Sequence, residues 1–263
     1  MSVIKKRECY KQVGDTKLNL YLFEPSERKH DELLPSIVFF PGGGWTFARP
    51  EQFFPHCNYF STRGMVSISA EYRVKNKHGT SPLESVLDGK SVIRWIRDHS
   101  SHLGINPQKI IGAGGSAGGH VALCTALTKG YESDSSKGNP LDSKPNALVL
   151  FNPVVDTVTN PRIANLFKGK AREFSPIHLA KKGAPPTLIF HGTRDNIVPF
   201  KDVEQFTIIM KELGIRCELV SFEGKGHAFF NYGRDKNIPY KETVRAADKF
   251  LLSLDLLNGK STI

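Results

Sequence analysis

The chain has 263 residues, of which 39% are hydrophobic, 24% charged and 10% aromatic; this excludes a disordered or fibrous protein and leaves enough apolar material for a core without disulfide or metal staples. The net charge of +10 has the sign of a polyanion binder. The lysines are scattered, however, with no basic stripe interleaved with aromatics and no zinc-finger or helix-turn-helix spacing, so no nucleic-acid partner is expected.

At the N-terminus, Lys5, Lys6 and Arg7 are not followed by an apolar stretch, so no signal peptide is read there, and no apolar run reaches the ~18 residues of a membrane span. The four cysteines (Cys9, Cys57, Cys124, Cys217) show no paired spacing. A cytoplasmic location is expected, or a secreted or periplasmic one if a leader has been removed.

The hydrophobic pattern alternates between short β-branched runs and longer amphipathic stretches. Strands are expected at 18–23, 36–40, 66–71, 110–112, 147–151, 187–191 and 217–222. Runs such as Ile37-Val38-Phe39-Phe40 and Ala147-Leu148-Val149-Leu150-Phe151 suit strands buried on both faces of a parallel sheet. Helices are expected at 52–63, 82–102, 117–129, 201–213 and 240–257. Strand and helix alternate, which argues a doubly wound α/β sheet and a single domain over 1–263. Residues 132–145 read as a surface loop. Residues 152–186 lack a strand, and Phe167, Phe174 and Ile177 there suit a small partial cap.

Between the strand ending at Gly112 and the helix opening at Ala117 lies Gly114-Gly115-Ser116-Ala117-Gly118, a G-x-S-x-G nucleophile elbow. Glycines two before and two after the serine remove Cβ atoms that would collide in so sharp a turn. The helix N-terminus then faces developing negative charge. Pro41-Gly42-Gly43-Gly44-Trp45 follows another apolar strand, and its backbone N–H groups, with that of Ala117, suit an oxyanion hole. An acid and a base should follow the serine in chain order. Asp195, just past the strand at 187–191, is preferred as the acid over Asp156, one strand earlier. His227 is the histidine that comes after it. His120, four residues beyond Ser116, reads as a packing residue. In Glu71-Tyr72-Arg73 a structural ion pair is expected.

Together, Pro41–Trp45, Glu71–Arg73, Gly114–His120, Ser175-Pro176, His191–Pro199 and Gly226-His227 resemble the α/β-hydrolase superfamily. More narrowly, they resemble the hormone-sensitive-lipase-like and feruloyl- or acetyl-xylan-esterase-like carboxylesterases. The resemblance implies a mostly parallel sheet of about eight strands with helices on both faces. It implies Ser116 as nucleophile, His227 as base and Asp195 as acid, with Gly43, Gly44 and Ala117 as oxyanion donors and no cofactor or metal. The implied activity is hydrolysis of short-acyl esters, acetyl or feruloyl groups on carbohydrate among them, through an acyl-enzyme. An amide hydrolase of kynurenine-formamidase or peptidase type and a non-catalytic ligand-binding member of the fold are the alternatives. Two departures stand out: Pro41 replaces the histidine that opens the glycine motif in the lipase-like group, and only 41 residues precede Gly42, too few for a large N-terminal lid. An open site is therefore expected, with Trp45, Phe47, Tyr72 and Phe229 around the substrate, and Phe53, Phe54 and Phe230 as further candidates. A small-molecule or carbohydrate-linked ester is the expected partner, and a homodimer is compatible with this reading.

Overall fold

A computed structural model describes residues 2–28, 32–131 and 142–263. In chain order the elements are β1 (Val3–Val13), β2 (Thr16–Pro25), β3 (Leu34–Phe40), α1 (Phe54–Thr62), β4 (Val66–Ala70), α2 (Lys75–His78), α3 (Pro82–Asp98), α4 (Ser100–Leu103), β5 (Ile105–Gly115) and α5 (Ala117–Leu127). They continue with β6 (Ala147–Phe151), α6 (Pro161–Leu166), α7 (Pro176–Leu179), β7 (Thr187–Gly192), α8 (Phe200–Glu212), β8 (Cys217–Phe222) and α9 (Ile238–Leu252). The strands form an eight-stranded sheet in the order β1-β2-β4-β3-β5-β6-β7-β8. The β1–β2 and β2–β4 pairs are antiparallel and the remaining pairs are parallel.

The continuous apolar runs are explained by two cores, one on each face of the sheet. Val38 and Phe40 of β3 and Leu148 and Leu150 of β6 pack with α3, α5 and α8. The alternate residues Ile37, Phe39, Val149 and Phe151 pack with α1 and α9. Each fully buried phenylalanine on these strands contributes about 1.5–3 kcal/mol of burial.

Several boundaries differ from the sequence expectation. β1 is an additional strand: its Lys5, Lys6 and Arg7 are exposed on the sheet edge, where charge discourages pairing with other chains and also hides the apolar alternation. A two-residue turn with Gly14 in the left-handed region (φ +55°) joins it to β2. The expected helix 82–102 is two helices, broken at His99 (φ −99°, ψ 16°). The one expected at 52–63 begins as a 3₁₀ turn, Pro50–Phe53. The one expected to reach 257 ends at Leu252. Of the surface loop read at 132–145, residues 132–141 lie outside the described residues.

Residues 152–186 form α6, a 3₁₀ turn at Ala171–Phe174, and α7. Phe167 and Phe174 are fully buried. Phe167 meets Trp45 and His120 edge-on, and His120 Nε2 donates to the Phe174 carbonyl at 2.7 Å, so the segment is pinned onto α5. Among the described residues no helix is long and apolar enough to cross a membrane.

Candidate active site

The parallel strands end along one edge of the sheet, and the loops leaving β3, β5, β6, β7 and β8 converge there. Ser116 sits between β5 and α5 with φ 53° and ψ −120°, a backbone conformation that L residues rarely adopt. The surroundings enforce it. A Cβ on Gly114 would lie 2.6 Å from the Gly118 carbonyl carbon, and one on Gly118 would lie 2.0 Å from the Phe40 oxygen at the end of β3. The second clash shows that Gly118 admits the neighbouring strand as well as the turn itself.

The glycine loop after β3 is equally constrained. Gly43 has φ +136°, and a Cβ there would fall 2.0 Å from the Phe47 oxygen. Its carbonyl accepts the N–H groups of Thr46 and Phe47, closing the loop on itself. Among the described residues the N–H groups of Gly43 and Gly44, and that of Ala117 at the start of α5, have no acceptor. Two side chains support this loop. Tyr72 Oη donates to the Pro41 carbonyl, and Gly42 N–H donates to Gln52 Oε1 at 2.7 Å.

Asp195 lies in the turn after β7 and His227 in the turn after β8. These turns are zipped together: Arg194 N–H donates to the Lys225 carbonyl, Gly224 N–H donates to Thr193 Oγ1, and a Cβ on Gly192 would lie 2.2 Å from the Lys225 oxygen. His227 Nδ1 is 2.7 Å from Asp195 Oδ2, and its Nε2 is 2.9 Å from Ser116 Oγ. A carboxylate only accepts, so Nδ1 carries the proton and Nε2 is left to accept from the serine hydroxyl. The other oxygen of Asp195 accepts the N–H groups of Ile197 and Val198 at 2.9 and 3.0 Å. Burial pushes the Asp195 carboxyl up. The hydrogen bond from His227, the Val198 N–H, the His227 charge and the Ile197 N–H outweigh it and hold the pKa below the usual value. His191, wholly buried behind the acid, donates from Nε2 to the Val198 carbonyl at 2.9 Å and lies 3.3 Å from Asp195 Oδ2. Burial lowers the pKa of this imidazole, outweighing the Val198 carbonyl and the Asp195 charge that raise it.

Asp156 stands apart from this constellation. Its carboxylate accepts the N–H groups of Val158 and Thr159 and the Thr159 hydroxyl, a local turn of its own. Glu71 and Arg73 do not pair with each other: Glu71 accepts from Asn19 and Tyr21, while Arg73 binds the buried Asp88. His120 is buried and hydrogen-bonded, its pKa lowered to about 4 by burial.

A cavity of about 770 Å³ opens beside Ser116 and His227. Of the aromatics expected around the substrate, Phe47 and Phe230 line it. Trp45, Tyr72, Phe229 and Phe53 are buried instead, and Phe54 packs beside Tyr21 and Phe23. Trp45 stands edge-on to His120, Tyr72 is turned to Pro41, and Phe229 is tilted against Phe222. Their apolar bodies serve the core because the loops turn them away from the opening. From residues 152–186 only Asn152 lines this cavity.

Several polar residues in the cavity wall were not anticipated: Thr46, Arg49, Gln52, Asn152, Asn231 and Arg234. Asn152 is fully buried, with φ 37°. Its Oδ1 accepts the Ala228 N–H at 3.0 Å, and its Nδ2 lies 3.4 Å from His227 Nε2. Gln52 and Asn231 are joined by a hydrogen bond of 3.0 Å. Asn152 has a sequence signal, an Asn-Pro step at the end of an apolar strand, and it is an asparagine where the left-handed region is needed. The pairing of Gln52 with Asn231 has none.

The chain matches the BD-FAE family model over residues 18–210 and the dienelactone hydrolase family model over residues 161–260. It is similar to esterase 2 of Thermogutta terrifontis phosphoramylated by tabun, with 42% identity, a TM-score of 0.93 and coverage of 97% of each chain. The propionate-bound form of that esterase matches with 42% identity, a TM-score of 0.93, and coverage of 97% of this chain and 96% of the other. Esterase LipC of Mycobacterium tuberculosis is 27% identical over 217 residues, covering 74% of this chain and 53% of LipC. The chain thus spans about half the length of the curated relatives it matches.

Proposed function

The chain belongs to the BD-FAE family of α/β-hydrolase-fold esterases, and from that premise we propose that it is a serine carboxylesterase acting on short-acyl esters. The observation that carries the reading is the line Ser116 Oγ–His227 Nε2, 2.9 Å, and His227 Nδ1–Asp195 Oδ2, 2.7 Å, with the serine at a strained turn facing a cavity. In this reading Ser116 Oγ attacks the ester carbonyl carbon as its proton passes to His227 Nε2. The oxygen of the tetrahedral intermediate takes the N–H groups of Gly43, Gly44 and Ala117, each such donor typically worth about 3–4 kcal/mol to the transition state. Collapse expels the alcohol, which receives the His227 proton. Water then enters with His227 as base, and the acyl group leaves as the carboxylic acid. No step calls for a metal or cofactor.

The short-acyl preference rests on the cavity. Residues 152–186 act as a partial cap that is pinned onto α5 and leaves the opening uncovered, so among the described residues an extended acyl chain has no closed tunnel to enter. Each buried CH₂ is worth about 0.8 kcal/mol, and a site without such a tunnel gains little from added length. The propionate bound to the Thermogutta relative supports the same preference. Measuring kcat/KM for 4-nitrophenyl esters of increasing acyl length, beside the matching acetanilide, tests the proposal. The expected result is an optimum among the shortest esters and a far slower anilide. An optimum at long chains, or an anilide as fast as the ester, would overturn it.

A further inference from the structure

Among the described residues, the walls of the cavity beside Ser116 contain two arginines, Arg49 and Arg234, and no aspartate or glutamate. Among the described residues neither guanidinium makes a hydrogen bond or an ion pair. Some other surface cations do pair with carboxylates: Lys6 binds Glu24, Arg216 binds Glu218, and Lys225 takes Asp235, the residue next to Arg234. The Asp195 carboxylate lies behind His227 and is occupied by it.

Both arginines are rooted on the framework that holds the catalytic loops. Arg49 precedes the 3₁₀ turn that carries Gln52. Arg234 ends the turn after His227, its N–H donating to the Asn231 carbonyl at 3.2 Å. Two large apolar side chains, Phe47 (56% exposed) and Ile197 (58% exposed), line the same opening. Arg234 feels the charge of the neighbouring Asp235, which it shares with Lys225. Guanidiniums that make no ion pair, standing beside exposed apolar surface, are complementary to a molecule with an apolar body and an anionic end. Guanidinium, planar and weakly hydrated, is the side chain best suited to a carboxylate.

We propose that this cavity selects esters bearing a carboxylate on an apolar acyl or alcohol part, with Arg49 and Arg234 as the specificity-determining residues. The inference rests on the esterase reading above and names the substrate class of that same site. The net charge of +10 acts in the same direction, drawing anions toward the protein at low ionic strength. Both guanidiniums are exposed, so their combined effect is modest, about three- to tenfold in kcat/KM.

The test compares carboxylate esters with their neutral carboxamide counterparts. One arm uses 4-acetoxybenzoate against 4-acetoxybenzamide, and the other uses monoethyl adipate against its ethyl ester carboxamide. Each kcat/KM is divided by the hydroxide-catalysed rate of the same ester. The expected result is a carboxylate advantage of about three- to tenfold in at least one arm at low salt. It should shrink as salt is raised and disappear in the Arg49→Gln/Arg234→Gln double variant, whose melting temperature is read alongside. Turnover of the carboxamides with no carboxylate advantage in either arm overturns the inference and leaves the esterase reading standing. So does an advantage that survives in the double variant. Failure to hydrolyse any of the four esters overturns both.

Discussion

Gln52 Nε2 donates to Asn231 Oδ1 at 3.0 Å, tying the turn before α1 to the loop that carries His227, 179 positions along the chain. The same amide accepts the Gly42 N–H through Oε1, so one side chain fixes the glycine loop against the histidine loop. Asn152 holds the other end of that loop through the Ala228 N–H. Gln52 is therefore a positioning residue. In Gln52→Leu the Gly42 N–H loses its acceptor and the Gly43 and Gly44 donors lose their fixed direction. We expect kcat for 4-nitrophenyl acetate to fall by roughly ten- to a hundredfold with little change in KM, since small misplacements of catalytic groups carry costs of that order. An unchanged kcat, or a loss confined to KM, would show that the loop keeps its geometry without the bridge.

The two candidate acids have separate environments and should respond differently. Asp195 is bonded to His227, whereas Asp156 closes its own turn. Asp195→Asn should lower kcat by roughly 10³–10⁴ because the amide no longer holds the imidazole in the productive tautomer. Asp156→Asn should leave kcat within a few-fold of the parent. Comparing kcat of the two variants at pH 7 decides the assignment, and a reversal would move the acid to β6.

Stability should fall on mild acidification, and three buried imidazoles are the cause. Burial lowers the pKa of His56 to about 3 and that of His120 to about 4, and also lowers that of His191. An unfolded chain takes up a proton at each of these histidines near its ordinary value of 6.5, while the folded chain does not. Their contribution is therefore complete above that value and is lost as pH falls toward the lowered pKa values. His56 is the cleanest case. It is enclosed by Phe39, Phe53, Phe151, Phe230 and Tyr240, and neither ring nitrogen has a hydrogen-bond partner among the described residues. In His56→Phe the drop in unfolding free energy between pH 7 and pH 5 should be smaller than in the parent by about 2 kcal/mol, measured by urea titration at both values. Equal drops would mean that His56 charges inside the fold.

What the sequence discloses depends on whether a residue's role is local. The runs in β3 and β6 imply burial on both faces by themselves, and Gly114 and Gly118 signal a turn too tight for a Cβ. Chain order singles out His227 but leaves Asp156 and Asp195 both open as the acid, and only the folded chain puts the Asp195 carboxylate beside His227 Nδ1. β1 escapes detection because its outward lysines and arginine mask a pattern that only the edge of a sheet explains. Trp45, Tyr72 and Phe229 show the complementary difficulty. An aromatic beside a catalytic loop is equally suited to the cavity and to the core, and the direction of each ring is decided by its neighbours: His120 for Trp45, Pro41 for Tyr72, Phe222 for Phe229. Gln52 and Asn231 act through a contact made only by the folded chain, so no spacing in the sequence announces them.

The central claim, that Ser116 is the nucleophile, is tested most directly by covalent trapping. The protein is incubated with diethyl 4-nitrophenyl phosphate, and the modified peptide is identified by mass spectrometry while esterase activity is followed. One diethylphosphoryl group per chain is expected, located on Ser116, with activity lost in proportion to labelling. Neither labelling nor ester turnover above background is expected in Ser116→Ala. A label on another residue that tracks the loss of activity, or undiminished ester hydrolysis by Ser116→Ala, would contradict it.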